Sequence, residues 1–580
     1  MRHPIEVTKL PGHGTGKVGR IHVSVGDEVA KGDLVLEIEA DKGASKIEAD
    51  RAGAVASIEV ATGDSVSVGQ LVATLEVVEE AASPKDKPAA ATSTGASKDK
   101  GAGLSYFASV MKPKEEKLSV DLTVVGAGPG GYVAALKAAQ EGLSVALVER
   151  EKVGGTCLNW GCIPTKALVR SATLFHTMCH AELFGLSATG VSCDMKAIIA
   201  RKDAIVAELV GGIEYLLEKQ GVRVVRGEGT VQRPGFVTVS AKRAKTEIES
   251  KNIIIATGSC SSELPIEGAG LAGVLDSKSA LDLTELPREL AIIGGGVIGM
   301  EFAFIYAALG VDVTVVEFLD SVLATLEPEA IEEIMRQAES LGIHMHTGTC
   351  VRTIRQAEDR RYVLVCEHAD EERYLIAERV LVAVGRSPVL DASALELGLK
   401  LGPKDRSIAV DEHMRTNVEG IYAIGDVTDK IQLAHVASHQ GIVAVENIVG
   451  GDVTMNYDAV PSAIFTSPEI ATVGLTEAQA KSRGHEVAVG TFPFAANGKA
   501  LALGERDGFV KLVCDAEDDI VLGGTIVGPH ASDLIHEVTV AVTHGLTATA
   551  LSHTIHAHPT TSEAIHEAAL ATHGRALHHV

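Results

Sequence analysis

The sequence predicts a multidomain chain in which an all-β flattened sandwich at the front is followed by a long α/β body with parallel sheets. Three observations carry this prediction. Residues 25–39, VGDEVAKGDLVLEIE, and 62–76, TGDSVSVGQLVATLE, match at a constant offset of 37, pairing Gly26 with Gly63, Asp27 with Asp64, Gly32 with Gly69 and Leu34 with Leu71. Two strand–glycine–helix–strand patterns follow, opening at Leu122 and at Leu290. Finally, 46% of the 580 residues are hydrophobic but only 3% aromatic, the aliphatic balance of parallel sheets covered by small-residue helices. A chain of this length exceeds one core and suggests three or four domains.

Net charge and patterning exclude several classes. A formal charge of −25 repels nucleic-acid phosphates and favours a freely soluble protein, so no nucleic-acid partner is expected. The N-terminal residues lack the apolar stretch of a secretory signal, and no window approaches the length of a membrane span; a cytoplasmic location is expected. Eight cysteines are too sparse for a disulfide scaffold. Only Cys157 and Cys162 lie in a glycine-flanked, reactive context, whereas Cys179, Cys193, Cys260, Cys350, Cys366 and Cys514 read as small core or surface residues.

The front repeat implies two-fold pseudosymmetry. Period-two apolar alternation and Gly-Asp turns make each half a short antiparallel sheet, with a hairpin at the midpoint, Glu39-Ala40-Asp41-Lys42-Gly43-Ala44. That midpoint resembles the lipoyl domains of 2-oxo-acid dehydrogenase complexes, and the resemblance makes Lys42 the lipoyl attachment site. Gly43 stands where alanine is usual, and Lys46 is a second candidate amine. Biotinyl domains share the fold but present Met-Lys-Met, which is absent. The lipoyl-type domain is placed at 1–80. Residues 81–117 are set down as a flexible linker, for their Ala, Ser, Pro, Lys and Gly content, with a short helix as an alternative for 104–117. A tether of this kind spans on the order of 25–30 Å and supplies effective concentrations near the millimolar range.

In the body, Leu122–Val125 runs into Gly126-Ala127-Gly128-Pro129-Gly130-Gly131, and Glu149 closes the next apolar run. Gly126, Gly128 and Gly131 let the backbone approach a pyrophosphate at a helix N-terminus, and Glu149 can take ribose hydroxyls. The unit recurs with Gly294, Gly296, Gly299 and Glu317. Glu317 repels a 2′-phosphate and no arginine cluster follows it, so NAD is expected rather than NADP. Cys157 and Cys162 lie in a segment predicted to enter a helix near Pro164, where the helix dipole stabilises thiolates. Ile421–Asp426 ends a strand in Gly-Asp, putting Asp426 at the ligand edge of a doubly wound sheet. Near the end, Pro559 is read as the first residue of a helix, leaving His558 just outside and Glu563 a turn in. A solvent-exposed histidine, or metal binding by His556 and His558, are the alternatives there; no Cys or carboxylate cluster completes a ligand set, and no metal is expected.

Together these motifs, over some 460 residues, resemble the flavoprotein disulfide reductases, nearest to the members that oxidise dihydrolipoamide. The resemblance implies FAD and NAD as cofactors and Rossmann-like FAD-binding regions at 118–262 and 388–456. It implies an NAD-binding domain at 263–387 and an α+β dimerisation domain at 457–580. It makes Cys157–Cys162 a redox-active disulfide, with Cys157 exchanging with substrate and Cys162 facing the flavin. Lys166, paired with Glu301, lies near the flavin N5. Gly229, Thr257, Gly258, Ser259, Asp426, Gln432, Leu433, Ala434 and His435 border FAD, and Val351 and Gly385 lie near NAD. His558, oriented by Glu563, is the base. Trp160 is unusual at its position. The implied partners are a second copy and the lipoyl-bearing acyltransferase of a 2-oxo-acid dehydrogenase complex. Glutathione reductases prefer NADP through arginines missing here, and mercuric reductases end in a paired-cysteine tail, whereas this chain ends Ala576-Leu577-His578-His579-Val580. A lipoyl-bearing carrier with an inactive body is the reading from another class, and intact cysteines and fingerprints count against it.

Overall fold

The computed structural model describes residues 2–7, 15–23, 27–30, 32–40, 43–49, 51–67, 70–76, 114–242, 244–391 and 393–579. Lys42, the expected lipoyl site, and most of the expected linker lie outside them. The chain divides into two compact units, Met1–Gly103 and Leu104–Val580.

Among its described residues the first unit has eight strands: β1 Arg2–Glu6, β2 Thr15–Ile21, β3 Glu28–Val29, β4 Leu34–Ala40, β5 Gly43–Glu48, β6 Gly53–Ile58, β7 Ser65–Ser67 and β8 Leu71–Glu76. They form two four-stranded sheets, ordered β1-β8-β6-β3 and β5-β4-β2-β7, so each strand of one sheet has its repeat-mate at the same place in the other. Burial follows the repeat: Val35, Leu36 and Ile38 are fully buried, as are their counterparts Val72, Ala73 and Leu75. At the midpoint β4 and β5 pair down to Ala40 opposite Gly43.

The first described strand of the second unit is Lys114–Val125, which pairs in parallel with Ala244–Ile255 along its length. Residues 114–117, expected in the linker, are therefore strand. Their sequence, Lys-Glu-Glu-Lys, hides this because the pairing lies at an exposed end where polar residues are tolerated. The sheet continues through Val145–Glu149 and Arg223–Arg226 on one side. On the other side, Ala244–Ile255 pairs antiparallel with Phe236–Ala241 near its start and in parallel with Ile421–Ala423 near its end. The return strand from residue 421 thus closes the first nucleotide sheet after the chain has built a second.

That second sheet has five parallel strands, with Glu289–Ile293 central, Val274–Leu275 at one edge and His344–His346 at the other. A three-stranded antiparallel sheet, Cys350–Gln356, Tyr362–His368 and Glu371–Ala377, is inserted between the edge strand His344–His346 and the last strand of the second sheet, Arg379–Val382. Ser259–Ser261 pairs with Arg386–Pro388 where the chain leaves and re-enters the first sheet. The C-terminal part is a five-stranded antiparallel sheet with the helices Ala531–His544 and Glu563–Ala571 against it, an α+β arrangement. Among the described residues no helix is long and apolar enough to cross a membrane.

Candidate active site

The first glycine loop is shaped by what its neighbours exclude. Gly126 has φ 106°, and a Cβ there would lie 2.2 Å from the Ala256 carbonyl oxygen; a Cβ on Gly131 would lie 1.8 Å from that of Gly126. Gly128, by contrast, has open space around the Cβ direction, and it caps the helix Pro129–Gln140 with no side chain over the free N–H groups. Glu149 fixes the loop, its carboxylate accepting from Ala127 N at 2.8 Å and from Glu151 N at 2.7 Å. The second loop repeats the design: Gly294 has φ 109°, a Cβ on Gly299 would lie 1.9 Å from Gly294 O, Gly296 is open, and Glu317 accepts from Gly295 N at 2.6 Å and Leu319 N at 2.7 Å. Both cradles leave backbone N–H groups free at a helix start, the geometry a dinucleotide pyrophosphate requires.

Gly155, at φ 56°, packs so closely on this loop that a Cβ would come 2.7 Å from Gly128 Cα. The thiol segment therefore begins against the first fingerprint. The expected single helix near Pro164 is two: Gly155–Trp160, carrying Cys157, and Cys162–Cys179, which starts on Cys162 itself. Gly161 breaks them with non-helical φ −142° and ψ −116°, and glycine is required there because a Cβ would lie 2.8 Å from Thr156 O. Cys157 is half-buried and Cys162 exposed, each a free thiol. The Cys157 thiol donates to Cys162, which raises Cys157 and, with the Lys166 charge, brings Cys162 down to about 7.

Lys166 lies one turn on, and its ammonium contacts both Glu301 oxygens at 3.1 Å. Glu301 is buried on the helix that follows the second glycine loop, and its carboxylate also accepts from Phe465 N at 3.0 Å. The Phe465 ring takes the Lys166 cation on its face at 4.2 Å. Three separate segments thus meet at one ion pair.

Thr257 donates to Val389 O at 2.8 Å, Gly258 has φ 71°, and Ser259 donates to Asp426. Gly229 and Thr257 line a small cavity of about 20 Å³ with Val125, Val231, Ile255 and Val389. Gln432 donates to Asp429 at 3.0 Å, and Leu433 and Ala434 begin the helix Ala434–Ile448. His435 donates from Nε2 to the Pro461 carbonyl at 2.8 Å, which anchors a loop, and partial burial lowers its pKa. Gly385 has φ 109°, while the Val351 side chain is buried in the core with Ile293 and Val316.

Arg386 and Gln440, like Phe465, escaped the sequence reading. Arg386 donates to the Ser259 hydroxyl at 2.8 Å and carbonyl at 2.7 Å, and reaches Thr156 Oγ1 at 3.5 Å. Gln440, fully buried, accepts from Gly425 N at 2.6 Å and so fixes the turn presenting Asp426. Their partners lie up to 230 positions away. The Gly-Arg pairing after Val384 was the one local signal.

Near the C-terminus His558 Nδ1 bonds Glu563 at 2.9 Å, leaving an exposed ring, and Glu563 also accepts from Thr560 N at 2.8 Å. Though partial burial opposes it, these hydrogen bonds hold the Glu563 carboxyl below its usual range. The helix starts at Glu563, not at Pro559. Thr560 bonds back to Ala557 O, turning the chain before helix can begin. His556 is turned away to Glu537 at 2.8 Å, so the two histidines have separate carboxylates.

The pyridine nucleotide-disulphide oxidoreductase family matches residues 120–441, and its dimerisation domain matches residues 460–569. The biotin-requiring enzyme family, which includes lipoyl domains, matches residues 8–75. A dihydrolipoyl dehydrogenase of Haloferax volcanii is 44% identical over 463 residues, covering 79% of this chain and 97% of that relative. One of Bacillus subtilis is 42% identical, covering 79% and 99%. Among solved structures, LpdA of Mycobacterium tuberculosis superposes with a TM-score of 0.73 at 30% identity, covering 78% of this chain and 99% of that one.

Proposed function

The chain belongs to the pyridine nucleotide-disulphide oxidoreductase family, and from that premise we propose that it oxidises dihydrolipoamide, free or protein-bound, and reduces NAD. The observation that carries this is the Cys157–Cys162 thiol pair held beside the Lys166–Glu301 ion pair, in a body collinear with relatives named for that reaction. The open backbone at Gly128 and Gly296 fits FAD and NAD respectively, with Glu149 and Glu317 at the ribose positions and Asp426 at the end of the first sheet. FAD, when bound, relays the electron pair from the thiols to NAD.

The chain's own residues do the thiol chemistry. His558 Nε2 takes the proton from one substrate thiol, and Glu563 at Nδ1 stabilises the imidazolium. The thiolate attacks Cys157 of the disulfide, and Cys162 leaves as a thiolate. The second substrate thiol then attacks the mixed disulfide, releasing cyclic disulfide product and the Cys157 thiol. Two thiols are oxidised and one disulfide reduced, so the exchange balances. Lys166 supports the negative charge on Cys162.

The working unit is a homodimer in which His558 and Glu563 act on the thiol pair of the other protomer. The electron donor is the lipoyl-bearing acyltransferase of a 2-oxo-acid dehydrogenase complex in the cytoplasm, and the front domain carries its own lipoyl group on Lys42. Purified protein should be yellow and reduce NAD with dihydrolipoamide. Cys162→Ser or His558→Ala should lower turnover by about 100-fold or more; unchanged rates in both would refute the assignment. Mass spectrometry of the front domain should find the lipoyl mass on Lys42.

A further inference from the structure

Trp160 is the chain's single tryptophan, and it stands between the two cysteines, three residues after Cys157 and two before Cys162. Its half-buried ring packs at the edge of the core that contains the second nucleotide sheet. The Lys278 ammonium sits over that ring, 4.0 Å from its centroid, and is itself 3.4 Å from Glu151. Lys278 belongs to the short helix Ser277–Ala280, directly after the edge strand Val274–Leu275 of the second sheet.

The thiol segment needs such a hold. It is bounded by Gly154 and Gly155, both at positive φ, and by the break at Gly161, so its backbone is anchored at its start against the first glycine loop while the end that carries Trp160 has a break beside it. Asn159 ties it internally, to Val153 O and Gly155 O at 2.9 Å. Its ends are tied by Gly154 N to the Ala127 carbonyl at 2.8 Å and by the Thr165 hydroxyl to the Gly161 carbonyl at 2.7 Å, and between them Thr156 makes a long contact with Arg386.

We propose that Trp160 and Lys278 form a positioning pair that clamps the Cys157–Cys162 segment onto the second nucleotide sheet. The inference rests on the redox assignment of that segment. Neither residue touches the reacting sulfurs. The cation holds the indole face, the indole holds the helix Gly155–Trp160, and that helix keeps the Cys157 thiol within reach of Cys162. The charged and titratable groups acting on Cys162 are Cys157, Lys166 and Glu301. Loosening the clamp separates Cys162 from the first of these and leaves Lys166 and Glu301 in place.

The test is the pH profile of Cys162 alkylation by iodoacetamide, read by mass spectrometry, together with the long-wavelength thiolate-to-flavin absorbance of the reduced holoenzyme. Lys278→Met and Trp160→Leu should raise the alkylation midpoint and cut the absorbance at pH 7 about three- to tenfold. Lys278→Arg and Trp160→Phe, which keep a cation over an aromatic face, should restore most of both. Lys278 is half-exposed, so its variants keep the test available if Trp160→Leu does not fold. A lowered Tm in Lys278→Met with an unmoved midpoint and absorbance would overturn the proposal. If the wild-type holoenzyme shows the absorbance and the variants match it, the clamp fails and the function stands; a wild type without it overturns both.

Discussion

Cys162 begins a helix, accepts the Cys157 hydrogen bond and lies in the field of Lys166, and the lowering to about 7 follows from these contacts. The folded value lies below the ordinary thiol value of 9.0, so the associated stability is fully present above pH 9 and is lost as pH falls through about 7. Alkylation of Cys162 should therefore rise steeply between pH 6 and 8. Lys166→Met should move that midpoint upward by about one unit, roughly a tenfold loss of thiolate at pH 6. Glu563→Gln keeps a hydrogen-bond acceptor for His558 but removes the charge that stabilises an imidazolium, and kcat should fall about tenfold or more, measured as NAD reduction. At this scale the sequence was legible where chemistry is local. Cys157, Cys162, Glu149 and Glu317 announce themselves through neighbouring glycines. Arg386, Gln440 and Phe465 do not, because each acts through a partner brought close only by the fold.

The two glycine loops show which elements tolerate change. A Cβ at Gly131 collides with the backbone of its own loop, whereas one at Gly128 meets nothing within the protein. Gly131→Ala should lower stability by about 2–4 kcal/mol and abolish flavin retention. Gly128→Ala should keep its Tm yet retain less flavin, because its side chain would intrude where backbone must approach a pyrophosphate; thermal melts and flavin absorbance separate the two. Helix boundaries were less legible than helix existence. Gly161, with φ −142° and ψ −116°, splits the expected thiol helix, and its crowded neighbours admit no side chain there. Proline at 559 suggested a helix start that the Thr560–Ala557 bond postpones to Glu563. The strand at 114–117 was invisible because four charged residues carry no apolar period, and its partner lies 130 residues on.

On the scale of the whole molecule, the front unit and the body have separate cores, and calorimetry should resolve two transitions, with only the second shifting when FAD is removed. The duplication made the front unit the most legible part, since one half fixes the register of the other. The body is joined internally by a device no pattern revealed: the buried Lys511 ammonium contacts Glu329 at 2.9 Å, Glu477 at 3.0 Å and the equally buried Glu327 at 3.5 Å. Glu327 and Glu329 lie at the start of the helix Pro328–Ser340 in the second nucleotide domain, and Glu477 begins the helix Glu477–Ser482 of the C-terminal α+β part. Lys511→Met would strand Glu327 as a buried charge and should cost about 3–5 kcal/mol, measured by denaturant unfolding. The central claim is that the Cys157–Cys162 pair passes electrons to a flavin beside it. Anaerobic titration of the holoenzyme with dihydrolipoamide tests it most directly. A long-wavelength band should grow with the first two electrons and be absent in Cys162→Ala. A spectrum that bleaches without the band, or a band that survives in the variant, would contradict the account.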